Sequence, residues 1–181
     1  TYLAARPADL SARIELIRGL VSAEQFDAAL QEIRRLDQDD LTRRQRNEVA
    51  YLEGLSHFQG RRYEDALASF ENVTDNAYEP MLSYHVSWSL YRTGETAEAG
   101  RRIAATRAAL PDDVYVDGSY LYAWTLYQQQ RPSRVVDVLL PLLGSDPDNP
   151  RRPAIRELLA ASYLAAGDDQ EALWEYRKIV E

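Results

Sequence analysis

Apolar residues along this chain recur at the three- and four-residue spacing of one helix face, in segments separated by short polar turns. No stretch shows the sustained alternation of apolar and polar residues that is typical of a strand. The segments group into five pairs, predicted over roughly residues 9–37, 43–75, 80–109, 115–144 and 152–181. The pattern therefore predicts an all-α protein built from helix pairs.

An internal repeat supports this grouping. Residues 87–91 read SWSLY, and residues 123–127, which lie 36 positions later, read AWTLY. The same alignment places the centres of the first helices at Ile17, Gly54, Trp88, Trp124 and Ala160. A helix pair that recurs every roughly thirty to forty residues cannot bury its apolar face by itself and packs against the neighbouring pairs. The repeat therefore indicates a stacked array.

The second helix of each pair is predicted to carry a small residue followed, four positions later, by a larger one. The pairs are Ala29 and Ile33, Ala66 and Phe70, Ala99 and Ile103, Val136 and Leu140, and Ala172 and Tyr176. Residues four apart share a helix face, so the small residue allows close helix approach and the larger one fills the space beside it. Pro132 suits the first turn of a helix, whereas Pro141 is expected to kink or end one.

The stretch Gly54…His57…Tyr63…Ala66…Phe70 resembles the tetratricopeptide repeat (TPR), which has a small residue and an aromatic on its first helix, then alanine and an aromatic on its second. Tyr163…Gly167…Ala172…Tyr176 matches as well. Trp88 and Trp124 depart from the pattern, since the family usually has glycine or alanine there. The resemblance implies one α-solenoid, a right-handed superhelix of about five TPR-like helix-turn-helix repeats over residues 1–181.

The amino-acid composition argues against several classes of function. The chain has 181 residues and a net charge of −8, which disfavours nucleic acid because phosphate binding needs a basic face. It has no cysteine, and its two histidines, His57 and His85, have no evident acidic partners that would complete a metal site. No run of apolar residues is long enough to span a membrane. We therefore predict no enzyme activity, no catalytic residue, no metal and no cofactor.

The first helices of this family line an inner groove, and the resemblance implies that this groove binds a peptide or a helical segment of a partner protein. The predicted groove residues are Tyr51, Leu55, Phe58, His85, Ser89, Arg92, Leu121, Thr125 and Gln128. The same helices also carry a series of aromatic residues: Tyr51, Tyr84, Trp88, Tyr91, Tyr120, Trp124 and Tyr127. Most of this series is expected to lie in the core.

Two other functions stay open. The last predicted helix keeps Trp174, Tyr176, Ile179 and Val180 with no polar capping helix after it, which suggests a module that self-assembles through open repeat ends into a homo-oligomer. The third possibility is that the chain is a regulatory part of a larger enzyme. The resemblance suggests a bacterial and envelope-associated protein, but the sequence does not distinguish cytoplasm from periplasm.

Overall fold

The computed structural model describes residues 10–145 and 148–180, and the regular secondary structure in these two ranges is helical, with no strand. The chain divides into two compact units between Gly94 and Glu95. The first unit contains α1 (Leu10–Ser22), α2 (Phe26–Ile33), α3 (Arg43–Gln59), α4 (Tyr63–Phe70) and α5 (Met81–Arg92). The second contains α6 (Thr96–Thr106), α7 (Asp112–Gln128), α8 (Pro132–Leu139), α9 (Leu142–Ser145), α10 (Arg152–Ala166) and α11 (Asp169–Val180). The predicted all-α class is confirmed.

Three positions recur together in five places along the chain. Each set has a buried residue on a first helix, a left-handed residue seven positions later, and a buried residue on the following helix twelve positions after the first. The sets are Ile17, Glu24 and Ala29; Gly54, Arg61 and Ala66; Ser87, Gly94 and Ala99; Ala123, Gln130 and Val135; and Ala160, Gly167 and Ala172. This regularity confirms the helix-turn-helix repeat.

The sets also correct the predicted centres of two first helices. The residues that are completely buried at these points are Ser87 and Ala123, not the neighbouring Trp88 and Trp124, which are only partly buried. At Ala123 the reason is the close packing of α7 on α8, since helices that cross closely leave little space between their backbones and accept a small side chain there and not an indole. The prediction was therefore one residue too far along the chain in both helices.

The same one-residue correction applies to α8. Its buried residues are Val135 and Leu139, whereas Leu140 from the predicted pair is 46% exposed. The predicted effect of Pro141 is confirmed, because α8 ends at Leu139 and α9 begins only at Leu142. The proline ring has no N–H and cannot continue the hydrogen-bond ladder of α8.

The core of the first unit consists of two apolar clusters. One packs Ile14 and Ile17 of α1 against Ile33 of α2, and the other packs Phe70 against Leu82 and other residues of α5. The Phe70 ring lies directly against the backbone of α3 at Gly54, where an added Cβ would come within 2.3 Å of a ring carbon. Glycine at this position is what allows α3 and α4 to pack so closely.

Gly54→Ala is therefore expected to destabilise the protein by about 1–3 kcal/mol, although alanine is the better helix former. Gly19 on α1 is the matched control, because an added Cβ there meets no atom within 4 Å. Gly19→Ala is expected to stabilise the fold by about 0.5–1 kcal/mol. Urea unfolding followed by circular dichroism measures both, and a shift of both midpoints in the same direction would contradict this packing.

The second unit has its own core. Leu126 of α7, Leu139 of α8, and Ile155 and Leu159 of α10 form one buried cluster. Whether the five pairs form a single array over residues 1–181 stays a prediction, since each unit is compact by itself.

Candidate protein-binding surface

Three first helices carry the same arrangement of large side chains on one face. On each helix these residues lie three positions before, one after and four after the buried small residue, and this spacing places them on one side. The α3 row is Tyr51, Leu55 and Phe58; the α5 row is Tyr84, Trp88 and Tyr91; the α7 row is Tyr120, Trp124 and Tyr127. All of these are partly exposed except Tyr84, which is buried.

In the first unit, the α3 row is held in place by neighbouring rings. The ring centroids of Tyr51 and Tyr78 are 4.7 Å apart, and Phe58 meets Tyr63 edge-on at 5.9 Å. Arg92 lies over the Tyr63 ring, and its Nε donates a hydrogen bond of 3.3 Å to the Tyr63 hydroxyl. These contacts restrict the conformations that the row side chains can adopt in the folded protein.

Tyr51 adds a polar group to this surface. Burial, reinforced by Tyr78 and Glu79, raises the pKa of Tyr51 to about 12. A tyrosine with its ordinary pKa of about 10 is already protonated near neutral pH, so the hydroxyl is a hydrogen-bond donor with or without this shift.

The prediction for His85 is corrected. His85 was expected on the groove, but it is only 7% exposed and its ring stacks on Phe70 with centroids 6.0 Å apart. Tyr51, Phe58 and Tyr84 surround the same ring, at centroid distances of 6.2, 5.0 and 5.1 Å. Burial lowers the pKa of His85 to about 4, so the imidazole is neutral and acts as part of the core.

Ser89, Leu121 and Thr125 are corrected for the same reason. All three are completely buried, and Ser89 donates its hydroxyl to the His85 carbonyl oxygen. A residue with no exposed surface cannot contact a partner while the fold is intact. Arg92 and Gln128, in contrast, are exposed, which is compatible with the predicted role.

Trp88, Tyr120 and Trp124, each one position before a predicted groove residue that is buried, are partly exposed. The sequence contained a usable signal for α5, because Ala99 was predicted as the small residue of the following helix and counting back twelve positions reaches Ser87. For α7 the same count fails, since it leads from the predicted Val136 to Trp124 and reaches Ala123 only from Val135, which the structure shows to be the buried residue. The expectation that most of the aromatic series lies in the core agrees with the packing, because Tyr84 is buried and Tyr51, Tyr120, Trp124 and Tyr127 pack against core clusters while part of each ring stays exposed.

In the second unit, the α7 row is a ladder of edge-to-face rings. The centroids of Tyr120 and Trp124 are 6.5 Å apart, and those of Trp124 and Tyr127 are 5.7 Å apart. Arg151 lies over Tyr120 at 5.0 Å and is paired with both carboxylate oxygens of Asp117. The two charged side chains at this end of the row, Arg151 and Asp117, therefore neutralise each other.

A pocket of about 600 Å³ opens beside the other end of the α7 row. Its lining residues are Tyr127, Gln128, Gln130, Pro132 and Ala165, and none of them is charged. The two amide side chains are the polar groups best suited to bond a peptide backbone, since each has both a donor and an acceptor.

Over residues 10–145 and 148–180, no group of three or more histidine, cysteine, aspartate or glutamate residues is arranged to hold a metal ion. In the same part of the chain, no helix is both long and apolar enough to cross a membrane.

No protein-family model matches the chain, and no curated protein matches it in sequence. Solved structures do match. MamA AMB-1 has a TM-score of 0.76 at 15% identity over 93% of this chain and 96% of its own, and MamA MSR-1 has 0.76 at 16% over 94% of each. YrrB, described as a TPR protein with an unusual peptide-binding site, has a TM-score of 0.77 at 15% identity over 99% of this chain and 89% of its own. The resemblance drawn from the sequence is confirmed at the level of the fold: this chain has the fold of a TPR protein.

Proposed function

We propose that this chain is a non-catalytic scaffold that binds a peptide or helical segment of another protein on the rows of its first helices. The observation that carries the proposal is the partial exposure of large apolar and aromatic side chains along these rows. Surfaces of this kind supply most of the binding energy in protein interfaces, where tryptophan, tyrosine and arginine are enriched. The peptide-binding site for which YrrB is named gives independent support.

The chemistry of the rows agrees with a protein partner rather than a nucleic acid. The net charge of −8 repels phosphate, and the rows offer tyrosine hydroxyls and aromatic faces in place of a basic stripe. Arg92 at the edge of the first unit's rows can add a charge-assisted contact to an acidic side chain or a carboxylate of the partner.

A phage-displayed library of random peptides tests the proposal without knowledge of the natural partner. For peptides that depend on the first unit, Tyr51→Ala and Phe58→Ala are each expected to weaken binding by about tenfold or more, because each removes an aromatic anchor. Fluorescence anisotropy with a labelled selected peptide gives the affinities.

Arg61→Gly is the control for these variants. Arg61 is exposed in the turn after α3 and has a φ of 59°, so glycine suits its backbone and removes no row residue. We expect unchanged affinity for this variant. If Tyr51→Ala and Phe58→Ala both bind every selected peptide as tightly as the unchanged chain does, the α3 row is not the binding surface.

A second candidate function is self-association, and the exposed apolar residues of α11 favour it. Leu173 and Trp174 are 55% and 53% exposed, and Tyr176, Ile179 and Val180 on the same helix are exposed as well. Large exposed apolar patches mark interaction sites. Light scattering over a range of concentrations tests this candidate, which a monomer at all concentrations would eliminate.

A further inference from the structure

In four of the helix pairs, one face of the second helix is covered by the first helix of the next pair. The central residue of this face lies four positions after the buried residue of the second helix, and at Ile33, Phe70, Ile103 and Leu139 it is at most 3% exposed. Three of these residues share an apolar cluster with the first helix that follows, as Leu139 does with Ile155 of α10. In the fourth case, between α6 and α7, an added Cβ at Gly100 would come within 2.7 Å of Thr125 Oγ1.

The second helix α11 has the same apolar face, but this face is open. Its central residue is Tyr176, which is 40% exposed, and the neighbouring positions on this face, Leu173 and Ile179, are exposed as well. Within residues 10–145 and 148–180, no first helix follows α11. A position that is buried in four copies of a repeat and apolar but exposed in the fifth indicates a surface that packs against another helix.

The four covering helices share a sequence pattern. At positions i, i+3 and i+7, which lie on one helix face, each has two residues that are mostly aliphatic and then a serine or threonine. The sets are Val49, Leu52 and Ser56; Leu82, His85 and Ser89; Gly118, Leu121 and Thr125; and Ile155, Leu158 and Ser162, and all of these residues are buried. The pattern is absent from α1, which follows no second helix in the described part of the chain and has Ala12, Glu15 and Gly19 at these positions.

The hydroxyl residue of the pattern is matched in size to the second helix. The positions equivalent to Gly100 in the other three covered helices are Leu30, Leu67 and Val136, and the residues equivalent to Thr125 are then the smaller Ser56, Ser89 and Ser162. Each of these serines donates its hydroxyl to a carbonyl oxygen four residues earlier in its own helix, so it can be buried against a neighbour without an unsatisfied polar group. The equivalent position on α11 is Leu173, which predicts a serine opposite it.

The described helices of a second copy of this chain do not supply such a partner. In α3, α5, α7 and α10 the patterned face already covers a second helix of the same chain. In α1 the central position is Glu15, and burial of its carboxylate against the apolar face of α11 would cost free energy because that face offers no partner charge. The helix that fits α11 therefore belongs to a different protein.

We infer that the face of α11 formed by Leu173, Tyr176 and Ile179 binds an amphipathic helix of another protein, which presents two aliphatic residues and then a serine or threonine at positions i, i+3 and i+7. This surface is additional to the rows of the first helices, which carry the proposed function.

The test uses the full chain and three labelled synthetic helices of about 18 residues on a background of alanine and glutamine, which favours the helix without adding charge. The first has isoleucine, leucine and serine at positions i, i+3 and i+7. The second has glutamate in place of the leucine, as α1 has. The third has leucine in place of the serine, which adds apolar surface. Fluorescence anisotropy gives the three affinities.

We expect the first helix to bind saturably and the second to bind about tenfold more weakly or worse, because its carboxylate would be buried without a partner. The third should bind about threefold more weakly or worse, because Leu173 leaves room only for a small side chain opposite it. An apolar surface without this register would instead bind the third helix more tightly, since binding would then follow apolar area alone.

A substitution in α11 locates the bound helix. Leu173→Asp is expected to weaken the first helix by about tenfold or more, because it places a charge in the contact. Leu164→Asp is the matched control, since Leu164 on α10 is 50% exposed and lies outside this face. We expect unchanged affinity for the control, and circular dichroism checks that both variants keep the fold.

Four results would overturn the inference. They are no binding of the first helix, equal or tighter binding of the third, equal losses for Leu173→Asp and Leu164→Asp, and a chain that self-associates in light scattering and becomes monomeric with Leu173→Asp. The last result would identify a second copy as the occupant of this face. The proposed function is tested separately by Tyr51→Ala and Phe58→Ala, so either proposal can fail while the other stands.

Discussion

Glu175→Gln is expected to destabilise the second unit by about 3 kcal/mol or more. Glu175 on α11 is 2% exposed, and its carboxylate accepts a hydrogen bond from Arg156 on α10. The Arg156 guanidinium is itself buried and lies over the Trp174 ring at 5.4 Å. Glutamine keeps the shape of the side chain but leaves the buried positive charge without its counter-charge. Thermal and urea unfolding measure the loss.

Glu98→Gln is the matched control. Glu98 forms an ion pair with Arg101, but both side chains are largely in solvent, so the same substitution should cost about 0.5 kcal/mol or less. Replacing Arg156 by methionine together with Glu175 by leucine should recover most of the stability, because it removes both charges at once. If Glu175→Gln and Glu98→Gln lower the free energy of unfolding by the same amount, burial of the Arg156–Glu175 pair has no energetic consequence.

Acidification is expected to destabilise the first unit through His85. The pKa of this imidazole is lowered by burial to about 4 in the folded state, against an ordinary value of 6.5. Between these two values the unfolded chain binds the proton more tightly, so stability is complete above about pH 6.5 and is lost as the pH falls toward 4. The His85 contribution to this loss is about 2 kcal/mol at pH 5 and about 3 kcal/mol at pH 4.

His85→Phe isolates this effect. Phenylalanine fits among the aromatic rings around residue 85 and cannot be protonated, so this variant should lose about 2 kcal/mol less than the unchanged chain between pH 7.5 and pH 5. His57, whose pKa is also lowered mainly by burial, and the carboxylates are common to both proteins. Urea unfolding at a series of pH values gives the comparison, and identical pH profiles would refute a neutral buried His85.

Much of the fold was predictable from local sequence rules. Helical spacing of apolar residues located the helix pairs, and Pro132 and Pro141 marked where α8 begins and where it ends. These features depend on backbone geometry and on residues close together in sequence. The left-handed backbone conformation in the turns was harder to predict from sequence, because only two of the five residues that adopt it, Gly94 and Gly167, are glycine.

The proposed binding surface was harder to predict, because a shift of a single residue in the alignment changes which face of a helix is exposed. Trp88 has a small residue on each side, Ser87 and Ser89, so either serine fits the point of closest helix approach. A shift of one residue turns a helix by about 100° and exchanges buried for exposed positions. His85 was misplaced for a related reason: a polar side chain looks suitable for a surface, and its burial depends on rings brought together by three helices.

We propose that partners bind on the rows of the first helices. A crystal structure of the protein with a peptide selected from the random library tests this proposal. We expect peptide density against one of the rows, either Tyr51 and Phe58 in the first unit or Trp124 and Tyr127 in the second. A peptide bound on the second helices, or only on α11, would show that the rows are not the binding surface.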